Sequence, residues 1–534
     1  MDAGRERPVP RHITNEPVIA VPPAVLARYG ARVLDPTTTV RVAGEPALRP
    51  TVYLGDRLLV SGVANTMTRD ALTRAAADKG LAIRPPLEHA QHRDRLVSAA
   101  RAAGRQDAEA LFPELHRLEP AAGHAVVPDA WHVLQGYRAM VGSDRRASRH
   151  VALDHLLTAT PMVSGSPMVS GSPMVSGSPM VSGSPMVSGS PVNQYCLPGW
   201  GGRAPVEWVG RPPHRRTDAE LGTRRPVVVV LDTGIGQHPW LTPDIVTRDL
   251  TVAGLPVGLV DDSEGSGVVD DPLEGLLDSD SGHGTFIAGL IRQTCPDANI
   301  ESVKVMPSDG AVPEHVLLNA LNALALRQHI ALQNGDAQSL IDVVSLSLGY
   351  YHEQPDDAAF DPLLLAPIVE LGRMGVTVVA AAGNDSTSWP MFPAAFAPHP
   401  GGLVPAADPD RLPLLSVGAL NPAGTVALFS NAGDWVLCHR PGANLVSTFP
   451  QTFDGAAQSA YRVVAGGEVR ATLDPDNFRA GFGTWSGTSF AAPILAGELA
   501  QALVDGGGLD DVDPEVTLTR GWKAVAQATG LSPS

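Results

Sequence analysis

Five short apolar runs recur between stretches of helical periodicity, at residues 227–231, 300–305, 343–348, 376–382 and 414–417, and nothing else restricts the fold of this chain as strongly. The first is Val227-Val228-Val229-Val230-Leu231. A strand apolar on both sides has no face to offer to water, so such runs predict a parallel sheet covered on both faces. The covering helices are legible as amphipathic stretches at Pro313–Gln328 and Leu363–Met374. Residues 192–534 are therefore expected to form one α/β domain, with helices on both faces of a parallel sheet.

The region before it has a different texture. Thr51–Leu54 and Arg57–Val60 have the pattern of strands, Arg69–Lys79 and Arg93–Ala103 that of helices, and Val151–Leu157 that of another strand. Residues 1–160 are expected to be a small α+β domain without a catalytic signature. Between the two regions, residues 161–190 repeat Pro-Met-Val-Ser-Gly-Ser five times before Pro191. A proline in every unit forbids a helix and Gly-Ser forbids a stiff rod, so 161–191 is expected to be a tether with a root-mean-square span of roughly 30 Å.

Composition narrows the function classes. The formal net charge is -17 over 534 residues, without a Lys/Arg block to override it locally, which argues against a nucleic-acid partner. No run of about 18 apolar residues suggests a membrane span. Pro17, Pro22 and Pro23 interrupt the apolar residues near the N-terminus, so no secretory segment is expected and the cytoplasm is the default compartment. Cys196, Cys295 and Cys438 have neither metal-site nor disulfide-framework spacing and read as free thiols.

Three segments carry chemistry. Asp232 follows the first apolar run, at the carboxyl end of a strand, where open α/β sheets bind ligands. Alone it has many explanations, including a helix cap. His283 lies in Ser281-Gly282-His283-Gly284-Thr285 ahead of an apolar helical stretch; its small neighbours would let another backbone come close to the imidazole. Ser489, in Gly487-Thr488-Ser489-Phe490-Ala491-Ala492-Pro493, opens an alanine-rich helix whose N-terminal N–H groups face outward. Acid, base and nucleophile thus occur in the chain order Asp, His, Ser.

Over residues of about 225–505 these segments resemble the subtilase family of subtilisin-like serine peptidases. The resemblance implies that Asp232 orients the imidazole, His283 is general base and then acid, and Ser489 is the nucleophile. Val378–Asn384 is similar to the family strand whose Asn donates to the oxyanion, which implies that role for Asn384. It further implies that Ser347, Leu348 and Gly349, together with Ala381, Ala382 and Gly383, line the substrate cleft and an apolar specificity pocket. Ser345–Gly349, Leu428–Gly433 and Arg440–Gly442 add agreement. An α/β-hydrolase is excluded, because its nucleophile would lie in Gly-x-Ser-x-Gly and its triad would run Ser, Asp, His. The activity implied is a serine endopeptidase acting on protein or peptide substrates without a required cofactor; the alternative is a catalytically silent peptide-binding scaffold of the same fold.

Several features depart from the pattern. Tyr350 and Tyr351 stand where relatives often have glycine, and would narrow the cleft. An acidic insertion between Asp232 and His283, with Asp261, Asp262, Glu264, Asp270, Asp271, Glu274, Asp278 and Asp280, is expected to be either a solvated loop or a Ca2+ site. Residues 449–483 form a second insertion, a candidate flap. The N-terminal domain is expected to be either an inhibitory propeptide or a recruiting module.

Overall fold

The computed structural model of the protein describes residues 17, 19, 21–42, 47–142, 144–159, 195, 201–261, 263–354 and 363–533. The repeat segment 161–191 and Cys196 lie outside the described residues.

The N-terminal domain has strands β1 (Ala31–Leu34), β2 (Thr51–Val60), β3 (Leu81–Arg84), β4 (Glu114–Pro120) and β5 (Val151–Ala159). Its main helices are α1 (Pro23–Tyr29), α2 (Thr66–Ala77), α3 (Leu87–Ala102) and α4 (Ala130–Val141). The two strand stretches expected at 51–60 are one strand, bent by a register irregularity between Tyr53 and Leu58. Helix α2 begins three residues before the expected start because Asn65 caps it, accepting from the Thr68 N–H. Strand β3 offers only the short run Leu81–Ile83, and in β4 only Leu115 and Leu118 are buried, set among Glu114, His116, Arg117 and Glu119.

The larger domain contributes β6 (Val227–Asp232), β7 (Val246–Thr247), β8 (Asn299–Lys304), β9 (Ala311–Pro313), β10 (Val343–Leu346), β11 (Leu348–Gly349), β12 (Thr377–Ala381), β13 (Leu414–Leu420) and β14 (Cys438–Pro441). Its long helices are α5 (His283–Thr294), α6 (Glu314–Asn334), α7 (Leu365–Arg373), α8 (Thr488–Gly506) and α9 (Pro514–Thr529). Among the described residues the main sheet has seven strands in the order β14-β13-β12-β10-β6-β8-β7, all parallel.

Period-two alternation explains why an all-apolar run suits β6. Val228 and Val230 enter a core shared with Phe286 and Leu290 of α5, Leu495 of α8 and Val525 of α9. Val227, Val229 and Leu231 enter a second core with Leu317 and Leu321 of α6 and Ile368 of α7. Each buried valine or leucine contributes about 1.5–3 kcal/mol of transfer free energy, and a polar residue at either set of positions would forfeit it. Strand β6 lies between β8, the first of its two neighbours to be reached, and β10, reached later on the other side. Asp232 thus ends the strand at which the winding reverses, where a crevice opens.

The N-terminal sheet joins this domain edge to edge. Its order is β9-β5-β2-β4-β3, so a strand of the larger domain extends it, and β11 also pairs antiparallel with the end of β5. Leu58, Val60 and Leu153 face the domain's own helices with Leu72, Trp131 and Tyr137. Leu59, Leu115, Ala152 and Leu157 face the other way, into the core that holds Leu317, Leu321 and Leu324 of α6. The sheet is therefore buried on both faces, one of them by the larger domain.

Candidate active site

Asp232 and His283 meet at the end of β6 and the start of α5. Asp232 Oδ1 lies 2.8 Å from His283 Nδ1 and also accepts from the Thr233 N–H at 2.8 Å. Thr233 Oγ1 accepts from the Gly284 N–H at 3.0 Å, a second tie between the two segments. Gly284 is required by this closeness: a Cβ there would stand 2.1 Å from the Gly234 carbonyl oxygen. The ring of His283 is walled by Trp485 and Phe490, with centroids 5.7 and 5.2 Å away. Burial disfavours the imidazolium, but the carboxylates of Asp232, Asp280 and Glu264 outweigh it and the pKa of His283 is raised. Among the described residues, His283 Nε2 has no hydrogen-bond partner.

Ser489 is the second residue of α8, next to the Phe490 that packs on the imidazole. Pro493 lies four residues further on and has no N–H to give to the Ser489 carbonyl. That carbonyl instead accepts from Ser347 Oγ at 2.9 Å. Ser347, expected to line the cleft, thus also anchors the start of the helix that bears Ser489. The Thr488 N–H donates to Asn384 Oδ1 at 2.9 Å, which leaves the Asn384 amide nitrogen as the donor end of its side chain. Thr488 Oγ1 in turn accepts from the Gly383 N–H at 3.0 Å.

The turn at Gly383 and Asn384 is held by a residue to which the sequence assigned no role. Asn431 Oδ1 accepts from the Asp385 and Thr387 N–H groups at 2.9 and 3.2 Å, and its amide donates to the Ala382 carbonyl at 2.9 Å and to the Tyr351 hydroxyl at 2.8 Å. Gly383 has φ 99°, and a Cβ there would stand 2.3 Å from Asn431 Nδ2. The signal was present in Ser430-Asn431-Ala432-Gly433, but only the fold puts that motif beside residues 382–387.

Leu348 and Gly349 pair with Ala159 and Thr158 of β5, so the N-terminal domain lies along the strand expected to receive substrate. Ala381 and Ala382 are fully buried at the end of β12. Tyr350 and Tyr351 are turned into packing: Tyr350 stacks on His155 with centroids 4.5 Å apart, and the Tyr351 hydroxyl donates to Asp385 at 2.6 Å.

The acidic insertion is not uniformly solvated. Glu264, Asp278 and Asp280 are buried. Asp261 pairs with Lys304, Asp270 shares Arg28 with Asp309, and Asp278 accepts from the Val269 and Asp270 N–H groups. Among the described residues, the His, Cys, Asp and Glu side chains grouped tightly enough to hold an ion are His155, His352 and Glu353, outside this insertion. In the second insertion Phe449, Phe453 and Phe478 are buried, and a hairpin, β15 (Arg462–Ala465) with β16 (Glu468–Ala471), projects outward. Cys295 and Cys438 are free thiols. No helix among the described residues is long and apolar enough to cross a membrane.

A parallel sheet with an Asp-His pair at its reversal point, and a serine at the mouth of a central helix, defines a class. The sequence profile of the subtilase family matches residues 223–511, and the chain belongs to that family. It is 29% identical over 282 residues to subtilisin BL of Lederbergia lenta, covering 51% of this chain and 74% of the relative. It is 27% identical over 329 residues to the serine protease AprX of Bacillus subtilis, covering 55% and 61%. With the minor extracellular protease Epr of the same organism it shares 27% over 233 residues, 42% of this chain but 27% of Epr.

Proposed function

We propose that the protein is a serine endopeptidase and that the form described here is its inhibited precursor. The observation that carries the first part is the Asp232–His283 contact, with the His283 ring packed on Phe490, the residue after Ser489, and Asn384 tied to Thr488 before it. With a peptide carbonyl in place, His283 Nε2 takes the Ser489 proton as Oγ attacks; Asp232 holds the imidazole in the required tautomer and offsets its new charge. The Asn384 amide and the Ser489 N–H at the start of α8 receive the developing oxyanion. The imidazolium then protonates the leaving amine, and water, deprotonated by His283, releases the acyl group. The relatives are named as proteases, which agrees with this reading.

The second part rests on β5. A substrate would add as a strand to Leu348–Gly349, where its backbone finds partners. Thr158 and Ala159 occupy those partners, in antiparallel register. This pairing supports the propeptide reading over a recruiting module, and on that reading the maturation cleavage is expected beyond Ala159.

Treatment of the full chain and its Ser489→Ala variant with a fluorescent fluorophosphonate, followed by intact-mass measurement, tests both parts. The expected result is label on the wild type alone and a wild-type chain shortened to an N-terminus within 160–194. Equal labelling of the two proteins would remove Ser489 as the nucleophile. A wild type that does not shorten itself, and that stays unlabelled even after added protease has cut within the repeats, would favour the silent scaffold.

A further inference from the structure

Glu264 sits on a single helical turn, Ser263–Ser266, inside the acidic insertion, and its side chain reaches the backs of both triad loops. Its Oε2 accepts from Thr285 Oγ1 at 2.9 Å and its Oε1 from the Gly282 N–H at 3.4 Å, gripping the turn that bears His283 from both sides. Thr285 Oγ1 accepts in turn from the Gly236 N–H at 2.8 Å, in the loop that begins at Asp232. The fit leaves no slack: a Cβ on Gly234 would stand 3.2 Å from Glu264 Cγ, and one on Gly236 would stand 3.1 Å from the Glu264 carbonyl oxygen. Lys304, opposite Asp232 in the β8–β6 register, binds Asp261 and Ser263 and pins this turn from its other end.

We propose that Glu264 is a positioning residue for the base: it fastens the His283 turn to the Asp232 loop and supplies a further negative charge to the imidazolium. This rests on His283 being the base. A carboxylate placed only for packing would be wasteful, since an isolated buried charge costs several kcal/mol unless something uses it. Here burial raises the Glu264 carboxyl pKa to about 7, against the opposing pull of Thr233, Thr285 and Lys304, with Asp232 adding to the rise. The carboxylate is thus easiest to hold as an anion when a positive charge forms beside it. The charged groups around the imidazole are Asp232 on β6, Asp280 on the preceding turn and Glu264 on its one-turn helix, with Lys304 on β8 and Arg203 behind Asp280. Asp280, buried and pushed to about 6, is the other background carboxylate; among the described residues its side chain accepts from Ser279 and, unlike Glu264, from neither Thr285 nor the Gly282 N–H.

The test reads His283 itself, so that an occupied cleft does not hide the answer. The full chain carrying Ser489→Ala is titrated by NMR through the downfield Nδ1 proton of the imidazole, assigned with His283→Ala, with and without Glu264→Gln. Glutamine keeps the shape and one acceptor and removes the charge. The expected result is a fall in the imidazole midpoint of about half a unit to one unit, three- to tenfold in the acid constant. Glu264→Asp, which restores the charge, should recover at least half of that fall. An unchanged midpoint in Glu264→Gln overturns the proposal, as does an equal fall in both variants, which would mean a packing effect. Fluorophosphonate labelling of the wild type judges the parent reading separately: if Ser489 is not the labelled residue, that reading fails whatever the midpoints do.

Discussion

Two histidines in this molecule are buried, are held by carboxylates, and have raised pKa values, yet their second ring nitrogens are held differently. His283 gives Nδ1 to Asp232 and keeps Nε2 without a hydrogen-bond partner among the described residues. His155, on β5 at the junction of the domains, has Nδ1 2.7 Å from Glu314 and Nε2 2.9 Å from Glu353. Ionised carboxylates only accept, so His155 must carry both protons and is a fixed cation. Burial opposes that charge, but the two glutamates outweigh it and raise the pKa to about 10. Burial and a raised pKa are thus common to both rings, and the difference between them lies at the second nitrogen, on which the proposed role of His283 as base depends.

The most direct way to break the comparison is to remove each ring. His283→Ala or Ser489→Ala should lower peptidase activity by about 10⁶-fold, the size of the loss in subtilisin itself, with the fold intact by circular dichroism. His155→Ala should act on a different quantity. It leaves Glu314 and Glu353 buried without the imidazolium between them, with Arg138, 3.7 Å from Glu353, as the cation left nearby, which should cost about 3–5 kcal/mol in denaturant unfolding of the full chain. Turnover by any chain already cleaved beyond residue 159 should be unaffected. If His155→Ala left stability unchanged, the clasp would be ornamental.

The same contrast can be sharpened with pH. The folded-state pKa of His155 lies above its ordinary value of 6.5, so its contribution to holding the N-terminal domain is full below about 6.5 and is lost as pH rises through about 10. His352 beside it runs the other way, pushed down to about 3 by burial, and weakens the junction only as pH falls below 6.5. Limited proteolysis of the Ser489→Ala chain across pH 6–10 should show the domains loosening toward the alkaline end. Loosening confined to acid pH would contradict the assignment of His155 as the dominant charge.

How much of this was legible beforehand depends on whether a position reports on itself or on its neighbours. The parallel sheet was legible because strands such as β6, buried on both faces, must be apolar throughout. Strands β3 and β4 were not, because few of their side chains are buried. Asp232, His283, Asn384 and Ser489 stood out through local motifs that a close approach of backbones requires. The roles of Asn431, Tyr351, Glu264 and His155 depend on partners far away in the chain: Glu314 is 159 residues from His155, and Asn431 is 80 from Tyr351. The acidic insertion was legible only in part, for a related reason. Composition suggests a solvated or cation-binding loop, and it does not reveal that Glu264, Asp278 and Asp280 are turned inward onto hydrogen-bond donors.

Smaller effects probe the site's support. If Asn384 has the proposed oxyanion role, Asn384→Ala should cost about 10²–10³-fold in turnover with little change in substrate binding, since such a donor acts only as the oxyanion develops. A fall confined to binding would assign it to the cleft wall instead.

The smallest expected effect lies one step further out. Tyr351→Phe removes a hydroxyl that donates to Asp385 at 2.6 Å and accepts from Asn431 at 2.8 Å. Burial already raises the pKa of Asp385, so losing this donor leaves a buried carboxyl that must take up a proton or move toward water. The stability loss should be about 1–3 kcal/mol at neutral pH and should shrink in acid, where Asp385 is protonated in both proteins. Because Asn431 also orients the 382–387 turn, turnover should fall with stability, but by less than in Asn384→Ala. If stability fell while turnover did not move, Asn431 alone would suffice to hold the oxyanion side of the site.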